Sequence, residues 1–349
     1  MENKNKSKSS KINLSQLVLL GLGSLIGSGW LFGAWEASSI AGPAAIISWI
    51  IGFIVIGTIA YNYIEIGTMF PQSGGMSNYA QYTHGSLLGF IAAWANWVSL
   101  VTIIPIEAVS AVQYMSSWPW EWAKPMGALM KDGSISTIGL FAVYVIIAIF
   151  SLLNYWSVKL LTSFTSLISV FKLGVPLLTI IMLMISGFDT NNYGHSASAF
   201  MPYGSAPIFA ATTTSGIIFS FNAFQTIINM GSEIKNPEKN IARGIAISLT
   251  LSAILYIVLQ STFITSMPSS MIHEHGWNGI NFNSPFADMA ILLGINWLAI
   301  LLYVEAVVSP FGTGVSFVAV TGRVLRAMEK NGHIPKFLGK MNEQYNIPR

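Results

Sequence analysis

The chain contains no cysteine. Disulfides, iron–sulfur clusters and thiol chemistry are therefore excluded, while the compartment stays open. Charge is also scarce. Only 9% of the 349 residues are charged, against about 25% in ordinary soluble domains. A water-facing surface needs more charge than that, and a lipid-facing one does not. There is no basic, aromatic-interleaved soluble face, so nucleic acid is excluded as a partner. The apolar runs hold no His-Glu-x-x-His motif and no nucleophile–base constellation, which argues against an enzyme. His273-Glu274-His275 has no further ligand at a suitable spacing and reads as a solvated loop, so no metal is expected.

What is present is apolar: 53% of the residues are hydrophobic. Eight stretches are each long enough to cross about 30 Å of hydrocarbon. They lie near 14–41, 43–70, 87–117, 136–155, 157–187, 206–231, 241–266 and 288–326. The first follows a basic tail, as a signal peptide would. It is too long for one, contains internal glycines, and has no small-residue cleavage site after it, so it reads as a retained span. The spans bracket a basic tail at 1–13 and an amphipathic basic segment at 327–349.

Lysine and arginine set the orientation, because positive loops stay cytoplasmic. One side collects Lys4, Lys6, Lys8, Lys11, Lys159, Lys235, Lys239, Arg243, Arg323, Arg326, Lys330, Lys336, Lys340 and Arg349. The other has Lys124 and Lys131. An even number of spans with both ends cytoplasmic fits this bias. Trp118, Trp120 and Trp122 fit an interfacial anchor.

The first span reads Leu22-Gly23-Ser24-Leu25-Ile26-Gly27-Ser28-Gly29-Trp30-Leu31-Phe32-Gly33. Glycine is a poor helix former, by about 1 kcal/mol relative to alanine. Two readings fit. Gly23 and Gly27 form a Gly-x-x-x-Gly pair suited to close helix packing. Alternatively Ile26, Gly27, Ser28 and Gly29 unwind, and their amides face an anion such as a carboxylate. Gly21-x-Gly23-x-x-x-Gly27 brushes against nucleotide-binding fingerprints, but it has no preceding strand and lies in an apolar run. The sixth span, five elements later, carries Asn222, Gln225 and Asn229 where lipid-facing polar groups are expensive. These side chains could bond between helices. A second unwound stretch around Phe219–Asn222 would instead offer carbonyls to an ammonium group. Interrupted helices at corresponding places in two halves point to a transporter site at the midplane.

Lys172 lies in the middle of the fifth span, about 15 residues or roughly 22 Å from either end. A charge there costs at least ~2.5–3.5 kcal/mol, so it must face protein or a water-filled cavity. It is either half of a structural ion pair or a proton carrier. Glu107 and Glu305 are the buried carboxylates of the third and eighth spans, each in a Glu-Ala-Val sequence near a proline. Each could pair with Lys172, carry the proton or brace a helix. Glu65 and Glu233 lie close to the cytoplasmic ends and suit an inner gate or loop anchor. Glu36 suits an outer vestibule.

Gly27-Ser28-Gly29-Trp30-Leu31-Phe32 resembles the glycine-serine-glycine motif of the amino acid–polyamine–organocation (APC) superfamily. Three more segments are similar to that superfamily: Glu65 to Gly75, Glu233 to Arg243, and Arg323 to Pro335. The resemblance implies an all-α polytopic membrane protein with a five-plus-five inverted-repeat transporter fold. Helices 1 and 6 would be discontinuous. Residues 14–187 would form the first five-helix repeat, and 206–326 would be helices 6–8 of an incomplete second one. That makes the chain a C-terminally truncated permease with about eight of its transmembrane helices. The amides of Ile26, Gly27, Ser28 and Gly29 would hold a substrate carboxylate. The carbonyls of Phe219, Ser220 and Asn222 would hold its amino group, under the ring of Phe219 or Phe221. Lys172 would take the place of a sodium ion between helices 1, 5 and 8, beside Ser309 and Thr313, as in proton-coupled members. The implied function is secondary amino-acid transport across the plasma (inner) membrane, as proton symport or exchange. An amino-acid-sensing receptor of the same fold is the alternative. No cofactor is implied beyond the coupling proton, and the oligomeric state is open.

Overall fold

The computed structural model describes residues 11–156, 158–342 and 347–348. Lys4, Lys6, Lys8 and Arg349 lie outside the described residues, as does the side chain of Lys159. The protein is all-helical apart from short two-residue strands. Five stretches are long and apolar enough to cross a membrane: Gly29–Met69, Met76–Ser116, Thr137–Asn154, Pro237–Ser266 and Asn296–Lys330. Shorter apolar helices are found at Leu14–Leu25, Phe171–Ser186 and Ile217–Asn229.

Local chemistry sets the helix ends. Asn13 starts α1 (Leu14–Leu25) with a reciprocal cap: its side chain accepts from the Gln16 amide, and Gln16 reaches back to the Asn13 amide. α2 (Gly29–Ala41) stops at Gly42, whose φ of 61° favours glycine. A 3₁₀ turn then reverses the chain into α3 (Ala45–Met69). The third span begins earlier than expected, with α4 (Met76–Val101) bent at Gly85, and restarts as α5 (Ile103–Ser116). Pro105 explains that interruption, since it has no N–H to offer the Val101 carbonyl. A 3₁₀ segment (Glu121–Leu129) and the hairpin β1 (Met130–Lys131) and β2 (Ser134–Ile135) follow. Next come α6 (Thr137–Trp156), α7 (Val158–Ser186) and the short α8 (Ala197–Phe200).

The sixth span is divided into α9 (Ala206–Thr214), α10 (Ile217–Ser220) and α11 (Gln225–Asn229). Pro237 opens α12 (Pro237–Ser266) in its first turn, where a missing N–H costs nothing. His273-Glu274-His275 lies in a helix, α13 (Ser269–Gly279), and not in a loop. The eighth span also differs from expectation. Residues Pro285–Leu292 form a separate helix, α14, and a turn at Gly294 (φ 75°) precedes α15 (Asn296–Lys330). The basic segment from 327 is not one element. Its first residues extend α15, and Gly332 (φ 75°) stops the helix before a 3₁₀ turn at Lys336–Gly339. Strands β3 (Met341–Asn342) and β4 (Ile347–Pro348) pair after it.

α12 packs along α1 and α3, while α15 packs along α4, α5 and α7, so these two long helices enclose α1. The outer faces are apolar and open: Phe141 is 71% exposed and Ile185 74%. Such surfaces suit lipid and not water. Beyond the end of α5, Trp120 stacks on Trp122 and Trp118 meets both edge-on.

The bundle is closed at the end that carries the N-terminus. Ile12 pairs with Ile234 as a β-bridge, Glu233 meets Arg323 at 3.3 Å, and the Gly74 amide donates to the Asn229 carbonyl at 2.8 Å. Glu65, by contrast, is exposed.

Gln260 ties three helices together inside the core. Its Nε2 donates to the Ala34 carbonyl (3.1 Å) and to Ser38 Oγ (2.7 Å), and its Oε1 accepts from Trp49 Nε1 (2.8 Å). Gln260→Ala leaves buried partners unmet, at a cost of about 1–3 kcal/mol. Thermal denaturation of the detergent-solubilised protein is expected to show a lower midpoint.

Candidate functional site

The first span is broken. α1 stops at Leu25 and α2 starts at Gly29, leaving Ile26–Ser28 non-helical, with Ile26 at φ −87° and ψ 84°. A break in the middle of a bundle leaves carbonyls on one side and amides on the other without their i→i−4 partners. Three of these loose ends are met by side chains. Lys172 on α7 donates to the Gly23 carbonyl at 2.7 Å, and its Nζ also reaches Thr313 Oγ1 on α15. The Tyr256 hydroxyl on α12 donates to the Leu25 carbonyl at 2.6 Å. The Ser28 amide donates to the Glu107 carboxylate on α5, at 3.1 and 3.3 Å from its two oxygens. The Leu31 carbonyl, a turn further on, accepts from the Tyr114 hydroxyl at 3.3 Å.

Gly27 is needed for this approach, because a β-carbon there would overlap Glu107 Oε1. Gly29 lies close to the sixth span, where a β-carbon would stand 3.3 Å from Ser220 Oγ, while one on Gly33 would stand 3.2 Å from the Trp49 ring on α3. The first span's glycines therefore do two things: they unwind it and they bring a second chain segment close.

That second segment breaks earlier than expected. A first interruption falls at Ser215–Gly216, where Gly216 takes φ 77°, and a second follows Ser220, within the expected Phe219–Asn222 stretch. Residues 217–220 form a helical turn, and Asn222–Phe224 continue as 3₁₀. The carbonyls of Phe219 and Asn222 already accept the amides of Phe221 and Gln225. The physical reason is the left-handed backbone that glycine adopts without strain and phenylalanine does not. The run Thr213-Thr214-Ser215-Gly216 carried the signal.

A cavity of about 360 Å³ opens between the two breaks. Gly27, Ser28 and Gly29 line it, with Phe219 and Ser220, Glu107 and Thr313. Other expected residues lie elsewhere. Ile26 is wholly buried outside the cavity wall. Phe221 turns the other way, into an aromatic group with Trp49, Phe53 and Tyr256. Asn222 donates to Ser99 Oγ at 2.8 Å and accepts from Gln225. Lys172, Glu305 and Ser309 stand behind the wall. Glu36, Ser110, Gln113, Ser215, Gly216 and Phe317 are also among the lining residues. Of these, sequence reasoning singled out only Glu36.

Lys172 is 2% exposed, yet it meets neither glutamate within 4.0 Å among the described residues. It bridges neutral oxygens of α1 and α15, so the ion-pair reading does not describe it. Glu305 and Ser309 sit one turn apart on α15, fully buried, and neither side chain closes a hydrogen bond among the described residues.

Residues 12–349 match the family model described as amino acid permease. The chain is 52% identical over 333 residues to a glutamate/serine transporter of Bacillus subtilis, covering 95% of this chain and 61% of that protein. It is 36% identical over 342 residues to an aspartate-proton symporter of the same organism, covering 97% and 64%. A branched-chain amino acid permease of B. subtilis is 26% identical over 353 residues, covering 98% and 72%. The chain thus spans less than two thirds of the length of the first two relatives.

Gly27→Ala must push the Glu107 carboxylate off the break. Overpacking of this kind typically costs about 1–3 kcal/mol. Gly57, with nothing within 4 Å of its would-be β-carbon, is the matched control. A lower thermal midpoint for Gly27→Ala and none for Gly57→Ala is the expected result.

Proposed function

Because the chain belongs to the amino acid permease family, we propose that it binds the zwitterionic head of an amino acid between its two broken helices and moves it across the membrane by proton-coupled alternating access. The observation that carries this reading is the Glu107 carboxylate on the Ser28 amide, inside a cavity of amino-acid size. An amide that already donates to one carboxylate is chemically suited to another. The Gly27, Ser28 and Gly29 amides take the substrate carboxylate. Ser220 and the carbonyls near Ser215–Phe219 take the ammonium group, with Phe219 covering it. The names of the relatives make serine, glutamate and aspartate the first candidates.

The five-plus-five arrangement belongs to the same proposal. Spans within 14–187 form one repeat, and 206–326 supply helices 6–8 of the other. The N-terminus faces the cytoplasm, the side on which Lys235, Lys239, Arg323 and Arg326 gather. The cavity runs from the break toward Glu36, away from the end closed by Glu233 and Arg323. In this reading the cavity belongs to a carrier turned toward the far side.

Lys172 is the coupling residue in this reading. As an ammonium it tethers α1 to α15 through Gly23 and Thr313. As a neutral amine it holds them less tightly, since hydrogen bonds from a charged donor are roughly twice as strong as neutral ones. In this reading its proton is exchanged with Glu107 or Glu305, near Ser309. Lys172→Ala is expected to abolish uptake of radiolabelled serine or glutamate driven by a pH gradient in proteoliposomes. Uptake that persists with its pH profile intact would remove Lys172 from the mechanism. Binding without any uptake by the unaltered protein would favour a sensor.

A further inference from the structure

The cavity wall carries a second carboxylate that the head-group site does not use. Glu36 on α2 lines it, and its carboxylate forms neither an ion pair nor a hydrogen bond among the described residues. It is half-buried. Among the described residues the wall holds no lysine, arginine or histidine, and its ionisable groups are Glu36 and Glu107. Glu107 is occupied by the Ser28 amide. The Glu36 carboxylate lines the cavity without a partner among the described residues.

Its reach fits a substrate side chain. Seven residues separate Gly29 from Glu36, about 10 Å along the axis. Helical side chains lean back toward the N-terminus, so the Glu36 side chain is directed toward the break and not away from it. An amino acid held by its carboxylate at Gly27–Gly29 extends its side chain into the same cavity that Glu36 lines. Ser110 and Gln113, three residues apart on α5, line the same cavity and add a hydroxyl and an amide to the wall.

Resting on the proposed amino-acid site, we propose that Glu36 is a specificity-determining residue that favours short side chains bearing an O–H or N–H donor over anionic ones. A carboxylate can only accept hydrogen bonds. A serine hydroxyl or an asparagine amide gives it a donor, and aspartate gives it a like charge in a partly dehydrated cavity, where repulsion is stronger than in water. Of the side chains that the relatives' names suggest, the serine type is preferred here over the ionised acids.

Asparagine and aspartate are nearly isosteric, so their ratio isolates the charge. The test is displacement of radiolabelled serine from the lipid-reconstituted chain by each, at a fixed neutral pH. The unaltered protein is expected to prefer asparagine by at least about tenfold. Glu36→Gln is expected to bring the two within about threefold, and Glu36→Asp to keep the preference. Equal displacement by both in the unaltered protein, or a preference unchanged in Glu36→Gln, would overturn the assignment while leaving the amino-acid site intact. No serine binding at all would overturn the site and this assignment together. If Glu36→Gln fails to fold, the ratio in the unaltered protein and in Glu36→Asp still decides the question.

Discussion

Backbone polar groups at membrane depth must be satisfied inside the protein, because hydrocarbon offers them no partners. The break at Ile26–Ser28 concentrates that demand at one place. Lys172 answers at the Gly23 carbonyl, Tyr256 at the Leu25 carbonyl and Glu107 at the Ser28 amide. These side chains come from α7, α12 and α5, and Thr313 on α15 shares the Lys172 ammonium. Four helices are thereby fastened to the two halves of the first span. Glycine at 27 makes the approach of Glu107 sterically possible. The rest of the bundle is arranged around a junction that an unbroken helix would not need.

The groups that satisfy the break are also groups that can change state. A tyrosine hydroxyl holds its carbonyl at any ordinary pH. A lysine and a glutamate hold theirs in a way that depends on protonation or on a competing ligand. In the proposed cycle, a substrate carboxylate takes up amides next to the one that Glu107 now uses, and Lys172 couples the proton to the α1–α15 contact. Structural repair and transport chemistry then fall on the same residues. This explains why costly ionisable groups are kept so deep in the bundle.

The second break shows where sequence reasoning fell short. Asn222, Gln225 and Asn229 drew attention to the inner part of the sixth span, because polar side chains at that depth need a reason. Their reason is mutual: Asn222 bonds Ser99 and Gln225. The backbone leaves the α-helix first at Gly216 and again after Ser220. A single glycine in an apolar run has too many ordinary uses to mark a left-handed turn by itself. The choice between Phe219 and Phe221 was open for a related reason. One helical turn decides whether a ring faces the cavity, as Phe219 does, or packs on Trp49 and Tyr256.

Composition alone made this an apolar, helical, membrane-type chain, because 9% charge cannot cover a soluble surface of this size. The Gly27-Ser28-Gly29 run placed the first break within a residue or so, since few other sequences are so poor at continuing a helix. The depth of Lys172, Glu107 and Glu305 was likewise legible, because position along an apolar span converts directly into distance from water. The partners of those groups were not. Lys172 bonds a carbonyl 149 residues away and a hydroxyl 141 residues away, and Glu107 an amide 79 residues away. Such pairings depend on how α5, α7 and α15 rotate and pack against α1. Each helix carries its own apolar periodicity, but its rotation about its axis is settled only when the neighbouring surfaces meet.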